Sequence, residues 1–434
     1  MHGATERAMV KVSALKCREC GEESPVAPNH VCDNCFGPLE VVMNWAEIAP
    51  RVTRQTIECG PRSMWRYKQL LPVEGEPFVG GHVGFTPLVR ARRLGESLGL
   101  RRLYVKNDAV NHPTLSFKDR VVSVALTKAH EFGFDTVACA STGNLANSVA
   151  AHAAEGGFQA NIFIPNDLEA GKVLGTLVYG ARLFAVAGNY DDVNRMCAEA
   201  VGRYPWAFVN VNMRTYYGDG SKTVGYEIAE QLGWRAPDHV VAPCAGGSLI
   251  SKIYKGLHEF SRLGLLENTV NTRMYAAQAT GCSPITTAVK AGWEVFKPQK
   301  PATIARSIAI GNPADGLLAI ETVRKSGGWA DDVTDDEVVE GMELLAHTEG
   351  IFTETAGGVT VAVARKLAKQ HRFHEDDVVV LAITGNGLKV QEVMEGRLAT
   401  PRQIEPNLKS LDAALSSDTR EHALAGTAPG SRSN

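Results

Sequence analysis

No stretch of this 434-residue sequence is apolar for long enough to cross a membrane. The longest uninterrupted apolar run is residues 378–383, far short of the ~20 residues that a spanning helix needs. The N-terminus lacks an apolar region leading to a small-residue cleavage site, so no secretory signal is read there and a cytoplasmic chain is expected. A surplus of positive charge is missing as well. The formal net charge is −3 and the pI is near 6.5, which gives none of the basic footprint of a nucleic-acid binder. At 44% hydrophobic and 21% charged residues the composition is that of an ordinary globular chain, with length for two or three domains. No internal repeat is apparent.

A disulfide framework is also absent. Nine cysteines is an odd number, and five of them (Cys59, Cys139, Cys197, Cys244, Cys282) lie in or beside apolar segments, where cysteine acts as a small hydrophobe. The other four form two CxxC knuckles, Cys17-Arg18-Glu19-Cys20 and Cys32-Asp33-Asn34-Cys35, with Gly21 and Gly37 close behind. Four thiolates at this spacing can close a tetrahedral zinc site, and with every position filled by protein the metal is structural. Arg18, Glu19, Asp33 and Asn34 give the knuckles no basic face. The ribbon, residues 10–45, therefore reads as a packing or oligomer-contact module.

What is present is one lysine in unusual company. The segment Pro113-Thr114-Leu115-Ser116-Phe117-Lys118-Asp119-Arg120 leads into an amphipathic run with Val121, Val122, Ala125, Leu126, Ala129 and Phe132. Lys118 falls in the first turn of the helix this predicts, with Ser116 and Asp119 as a capping-box-like start. The positive helix end and a dry pocket both lower an amine's pKa, and only the neutral amine attacks an aldehyde such as pyridoxal phosphate. Alone, such a lysine is more often a solvated surface group. Three strand exits change the balance. Residues 240–243 read as a buried strand running into Cys244-Ala245-Gly246-Gly247-Ser248 and a helix, a phosphate cradle in outline. Residues 136–140 end in Ser141-Thr142-Gly143-Asn144, and residues 378–383 end in Thr384-Gly385-Asn386-Gly387. Ligands collect beyond the carboxyl ends of parallel strands, so these exits and Lys118 describe one crevice.

Further stretches join them: Asn111-His112 before the lysine segment, Gly188-Asn189-Tyr190-Asp191-Asp192, Gly220-Ser221-Lys222-Thr223, Glu354-Thr355-Ala356-Gly357-Gly358 and Leu388-Lys389 after the Thr384 turn. Together they cover most of residues 80–395, and the chain resembles the pyridoxal-phosphate-dependent enzymes of the tryptophan-synthase-β-like fold (fold type II), within them the threonine synthases. The resemblance implies an α/β fold with two parallel-sheet domains behind the zinc ribbon. It makes Lys118 the Schiff-base lysine and proton carrier, puts Asn144 at the cofactor's phenolic oxygen and Thr384 at its ring nitrogen, and wraps Cys244, Ala245, Gly246, Gly247 and Ser248 around its phosphate. It further implies Ser141, Thr142 and Gly143 at the substrate carboxylate. For the substrate phosphate, Asn212, Arg214 and Lys222 are the candidates. The implied reaction takes O-phospho-L-homoserine and water to L-threonine and phosphate, by elimination at Cγ and addition of water at Cβ. Relatives that eliminate or replace at Cβ, such as serine/threonine dehydratases and cysteine- or cysteate-forming synthases, share the lysine and the glycine turn. A zinc-ribbon interaction protein that has kept the enzyme fold is the alternative of another class. A homodimer is expected.

Residues 135–211 alternate regularly: strands at 136–140, 159–164, 182–186 and 207–211, helices at 145–156, 169–179 and 191–203. This predicts a small α/β domain with right-handed crossovers. Residues 46–134 and 212–407 are expected to form the large domain, with an aromatic and proline-bearing arm at 46–84. Its further predicted elements are strands at 102–106 and 274–278, helices at 315–326, 335–347 and 357–370, and a last helix near 387–396. Residues 1–9 and 408–434 are expected to be disordered.

Overall fold

The computed structural model describes residues 11–425, with side chains as far as residue 416; the expectations for residues 1–9 and for 426–434 lie outside this range. Three strands, β1 (Val12–Cys17), β2 (Glu23–Ser24) and β3 (Leu39–Met43), make an antiparallel ribbon sheet in the order β2-β1-β3. Then come β4 (Leu88–Arg90) and β5 (Arg102–Asn107). A four-stranded parallel sheet follows from β6 (Thr136–Ala140), β7 (Gln159–Pro165), β8 (Arg182–Val186) and β9 (Ala207–Phe208), in the order β8-β7-β6-β9. The chain then returns to the first two with β10 (His239–Pro243), β11 (Arg273–Ala279), β12 (Trp329–Val333) and β13 (Val378–Ile383), giving the order β12-β11-β10-β13-β5-β4. Only β4, at the edge, is antiparallel. Every residue of β6, β10 and β13 is buried, as strands covered on both faces must be.

The departures from the sequence pattern have local causes. Strand β12 hides behind Asp331 and Asp332; Asp331 is buried because Lys290 and Gln370 satisfy it at 2.6 and 2.9 Å. Strand β9 stops at Phe208 instead of reaching 211, because side-chain amides take over the ladder: Asn210 Oδ1 accepts the Ala140 N–H and Asn212 Oδ1 the Phe208 N–H. The helix predicted near 387–396 begins as a short 3₁₀ turn, Gly387–Lys389, with Asn386 Oδ1 accepting from the Leu388 N–H. Residues from Glu392 onward form a unit of their own. In it, Leu408–Ala425 is a helix where disorder is expected. Its serines are interspersed with Leu, Ala, Lys, Arg and Glu, all good helix formers, and Asn407 Oδ1 accepts the Ser410 N–H at its start.

A single apolar core joins the ribbon (Leu15, Leu39, Val41, Met43), the Lys118–Glu131 helix (Val121, Val122, Ala125, Leu126) and the four-stranded sheet (Val137, Ile162). The alanines of the Asn144–Gly156 helix, Ala146, Ala150 and Ala153, let that helix lie close in the same core. The helix that carries Lys118 is pinned from its other side by buried charge. Arg120 donates to Asp108 at 2.6 Å and to Glu227, which also accepts from Lys106 at 2.6 Å. Two cations and two carboxylates balance here, and Arg120 and Lys106 together hold the Glu227 carboxyl down at about 2 against the effect of burial. Removing one member of such a set strands the others, at a cost on the order of 3–5 kcal/mol.

Candidate active site

The carboxyl ends of β6, β10 and β13 open onto one crevice, lined among others by Lys118, Asn144, Gly246, Ser248 and Thr384. The lysine loop is stitched to the end of β13. The Phe117 N–H donates to the Thr384 carbonyl at 2.9 Å, the Asn386 N–H to the Leu115 carbonyl at 3.1 Å, and Ser116 bridges Gly385. That pairing displaces the capping box the sequence suggests. Phe117 occupies the cap position and Ser116 Oγ is buried without a partner, while Asp119 accepts from the Thr114 N–H (3.0 Å) and hydroxyl (2.7 Å). Lys118 therefore begins its helix with its amine in the crevice, 2.8 Å from Tyr217 Oη and 4.8 Å from the Phe117 ring centroid. Desolvation pushes the amine's pKa down to about 8, with the Glu354 carboxylate working in the opposite direction.

Asn144 is held from two sides. Its Nδ2 lies 2.8 Å from each Glu354 oxygen, and its Oδ1 accepts from Lys389 Nζ at 3.1 Å. Desolvation also lowers Lys389, to about 8. Glu354 is tied to the Thr384 turn by its N–H, which donates to the Gly385 carbonyl. The roles of Glu354, Lys389 and Tyr217 cannot be read from the sequence, although the first two stand inside the stretches that carry the resemblance. Tyr217 stands between Arg214 and the Gly220-Ser221-Lys222-Thr223 stretch, but no pattern marks the tyrosine itself before folding.

At the end of β10, Ala245, Gly246, Gly247 and Ser248 all line the crevice. Gly247 has φ +93°, and a Cβ there would lie 2.4 Å from the Asp315 carbonyl, so the turn requires glycine. Ser248 opens the helix Ser248–Arg262, leaving free N–H groups toward the crevice, a natural seat for phosphate. Cys244 is a correction. It points into the core of the large sheet, its N–H on the Ala277 carbonyl and its carbonyl on Gln278 Nε2, and does not line the crevice.

At β6, Ser141 and Thr142 line the crevice, and Ser141 Oγ accepts from the N–H groups of Gly143 and Ala146. Gly143 is outside the lining, turned at φ +121° where a Cβ would meet Lys172 at 2.1 Å. Of the three candidates for a substrate phosphate, only Arg214 lines the crevice. Lys222 is buried elsewhere, bonded to Asp219 (2.9 Å), Glu259 (3.2 Å) and the Leu70 carbonyl (3.0 Å). Asn212 commits its amide to Phe208 and Trp206. Asp315, Asn210 and Asn194 line the wall instead, with Ser307, whose hydroxyl oxygen is buried without a partner.

These residues fit pyridoxal phosphate: an enclosed amine of lowered pKa, a glycine turn at a helix start, and an amide and a hydroxyl at neighbouring strand exits. The four knuckle sulfurs lie within 4.8 Å of one another, with Cys17–Cys35 at 3.4 Å and Cys20–Cys32 at 3.7 Å. Zinc–sulfur bonds of about 2.3 Å in a tetrahedron put sulfurs about 3.8 Å apart, so this cluster suits such a metal.

Residues 79–385 match the family described as "Pyridoxal-phosphate dependent enzyme". The chain is 37% identical to the threonine synthase of Methanosarcina acetivorans over 404 residues, 92% of this chain and 98% of that protein. It is 35% identical to that of Methanocaldococcus jannaschii, with the same shares covered. Among solved structures, a fungal L-serine ammonia-lyase from Rhizomucor miehei superimposes with a TM-score of 0.62 at 19% identity, covering 72% of this chain and 98% of that one. Maize serine racemase does so at 0.57 and 21%, covering 79% and 94%. At such identities the structural likeness speaks for the fold alone, whereas the sequence matches reach nearly the whole chain. The chain belongs to the pyridoxal-phosphate-dependent enzyme family, in its threonine synthase branch.

Proposed function

We propose that this enzyme converts O-phospho-L-homoserine and water to L-threonine and phosphate. The observation that carries the reading is the placement of the Lys118 amine, the glycine turn and the Arg214 guanidinium around one crevice, in a chain that matches threonine synthases over 92% of its length. Lys118 would hold the cofactor covalently, Ala245, Gly246, Gly247 and Ser248 its phosphate, Asn144 its phenolic oxygen and Thr384 its ring nitrogen. Bound there, pyridoxal phosphate supplies a sink for negative charge developing on the substrate. Glu354 and Lys389 keep the Asn144 amide turned into place. Ser141 and Thr142 receive the substrate carboxylate, and Arg214 its phosphate. Lys118, once free, carries protons at Cα and Cβ, and an amine tuned to about 8 suits that task near neutral pH. Incubation with O-phosphohomoserine should release phosphate, while serine and threonine, which leave Arg214 without an anion, should be poor substrates. Rapid deamination of serine would favour the dehydratase reading.

The tuned amine has its own signature. An amine of pKa about 8 is roughly 300 times more often neutral at pH 7 than one at the ordinary 10.5. Cofactor uptake by the apoprotein, followed by visible absorbance, should therefore rise with pH and level off just above 8. A rate still climbing beyond pH 9.5 would contradict the desolvated setting of Lys118.

The same proposal includes one structural zinc on Cys17, Cys20, Cys32 and Cys35. Metal analysis should find about one zinc per chain, lost on Cys17→Ser or Cys32→Ser, with the cofactor's visible spectrum retained; metal retained in both variants would rule this site out. A cytoplasmic homodimer belongs to the proposal too, in keeping with the lack, among the described residues, of any helix able to cross a membrane.

A further inference from the structure

Asp315 stands on the crevice wall, and two guanidiniums from distant parts of the chain divide its carboxylate. Arg214 donates to Oδ2 at 2.6 Å, and Arg18 donates to Oδ1 at 2.9 Å. All three side chains are largely enclosed, with 28%, 19% and 11% of Arg214, Arg18 and Asp315 exposed. The backbone of Asp315 is locked to the phosphate turn: its N–H donates to the Gly246 carbonyl at 2.8 Å, and its own carbonyl is the atom that forbids a side chain at Gly247. Arg18 is locked as firmly. It lies between Cys17 and Cys20 in the first knuckle, its N–H donates to the Pro38 carbonyl at 3.0 Å, and its Nε is buried without a partner.

The charges decide what this arrangement does. Arg214 and Asp315 alone form a neutral pair, a poor receptor for a dianion because the carboxylate has already taken the guanidinium's charge. With Arg18 added the cluster is +1, and in an enclosed site such a charge acts at much greater strength than in water. The second guanidinium, on the opposite carboxylate oxygen, shares the Asp315 charge with Arg214, whose N–H donors other than the one on Oδ2 stay available to an oxyanion.

We propose that Arg18, reaching from the cysteine knuckle, is a positioning residue for anion recognition in the crevice, sharing Asp315 so that Arg214 presents net positive charge to a phosphate group. This rests on the reading of Arg214 as the side chain that receives the substrate phosphate. It gives the ribbon a part in the enzyme's specificity: the metal-binding module supplies the charge that lets the wall hold a phosphate.

The test uses inorganic phosphate as the probe, titrated into the holoenzyme by calorimetry, with zinc content measured on the same samples. Arg18→Ala should weaken phosphate binding by about tenfold, the scale of one charge-assisted hydrogen bond. Arg18→Lys, which restores the charge, should recover most of it, and the cofactor spectrum should not move. Arg214→Ala should weaken phosphate as well. If Arg214→Ala weakens binding but Arg18→Ala stays within twofold of the parent, this proposal fails and the reading of Arg214 stands. If neither variant changes phosphate affinity, the reading of Arg214 fails and takes the proposal with it. Loss of affinity only in samples that have also lost zinc would contradict the electrostatic role.

Discussion

Replacing Lys118 by alanine is expected to reduce turnover to a trace, a fall of at least roughly 10³-fold, the scale on which a positioned proton carrier contributes. The visible absorbance of the holoenzyme should at the same time become removable by dialysis. The fold should survive the change. Folding moves this amine from an ordinary pKa of 10.5 to about 8, chiefly by desolvation, so the unfolded chain binds the proton more tightly and the lysine destabilises the apoprotein. That penalty is fully present below pH 8 and fades as pH rises toward 10.5. Alanine removes it, and the apo variant should melt no lower than the apo parent at pH 7. Retained turnover, or colour that survives dialysis, would show that another group carries the chemistry.

Arg214→Ala should lower kcat/KM on O-phosphohomoserine by tenfold to a thousandfold, corresponding to the ~1.5–4 kcal/mol that charge-assisted hydrogen bonds contribute in an enclosed site. The cofactor spectrum should be unchanged, because the glycine turn and Asn144 do not depend on this guanidinium. Nor should the variant unfold: Asp315 keeps Arg18 at 2.9 Å, so no buried carboxylate is stranded. Steady-state kinetics with O-phosphohomoserine and with serine separate the readings. A selective loss on the phosphorylated substrate supports an anion role, and an equal loss on both would make Arg214 a general structural residue.

Much of this site is legible in the sequence because its parts are local. Lys118, Asn144 and Thr384 each follow or flank a recognisable strand, Gly246 and Gly247 stand where a strand meets a helix, and the four cysteines announce themselves by spacing. Strands β6 and β13 are readable to the residue, since both are unbroken buried runs between turn signals. What stays hidden depends on pairs far apart in the chain. Lys222 in sequence is a cation at a helix start and so a fair anion ligand. Only the fold reveals that Glu259, from another helix, and Asp219 have neutralised it. Asp315 reads as an unremarkable first residue of the helix predicted at 315–326, and its partners sit 101 and 297 positions away. Strand β12 is concealed because two aspartates look like solvent, although Lys290 compensates the charge of the one that is buried. Cys244 is misjudged by a single position: it follows β10 but is still buried in the core, and the part of the turn that lines the crevice begins at Ala245.

The most direct test of the whole account is product analysis of the purified holoenzyme with O-phospho-L-homoserine and, in parallel, O-phospho-L-serine. The account predicts threonine and phosphate from the first in equal amounts, without build-up of a keto acid, and little phosphate from the second, whose leaving group sits one carbon too close to Cα to reach Arg214. Equal release from both substrates, or no release from O-phosphohomoserine by a fully coloured enzyme, would contradict it.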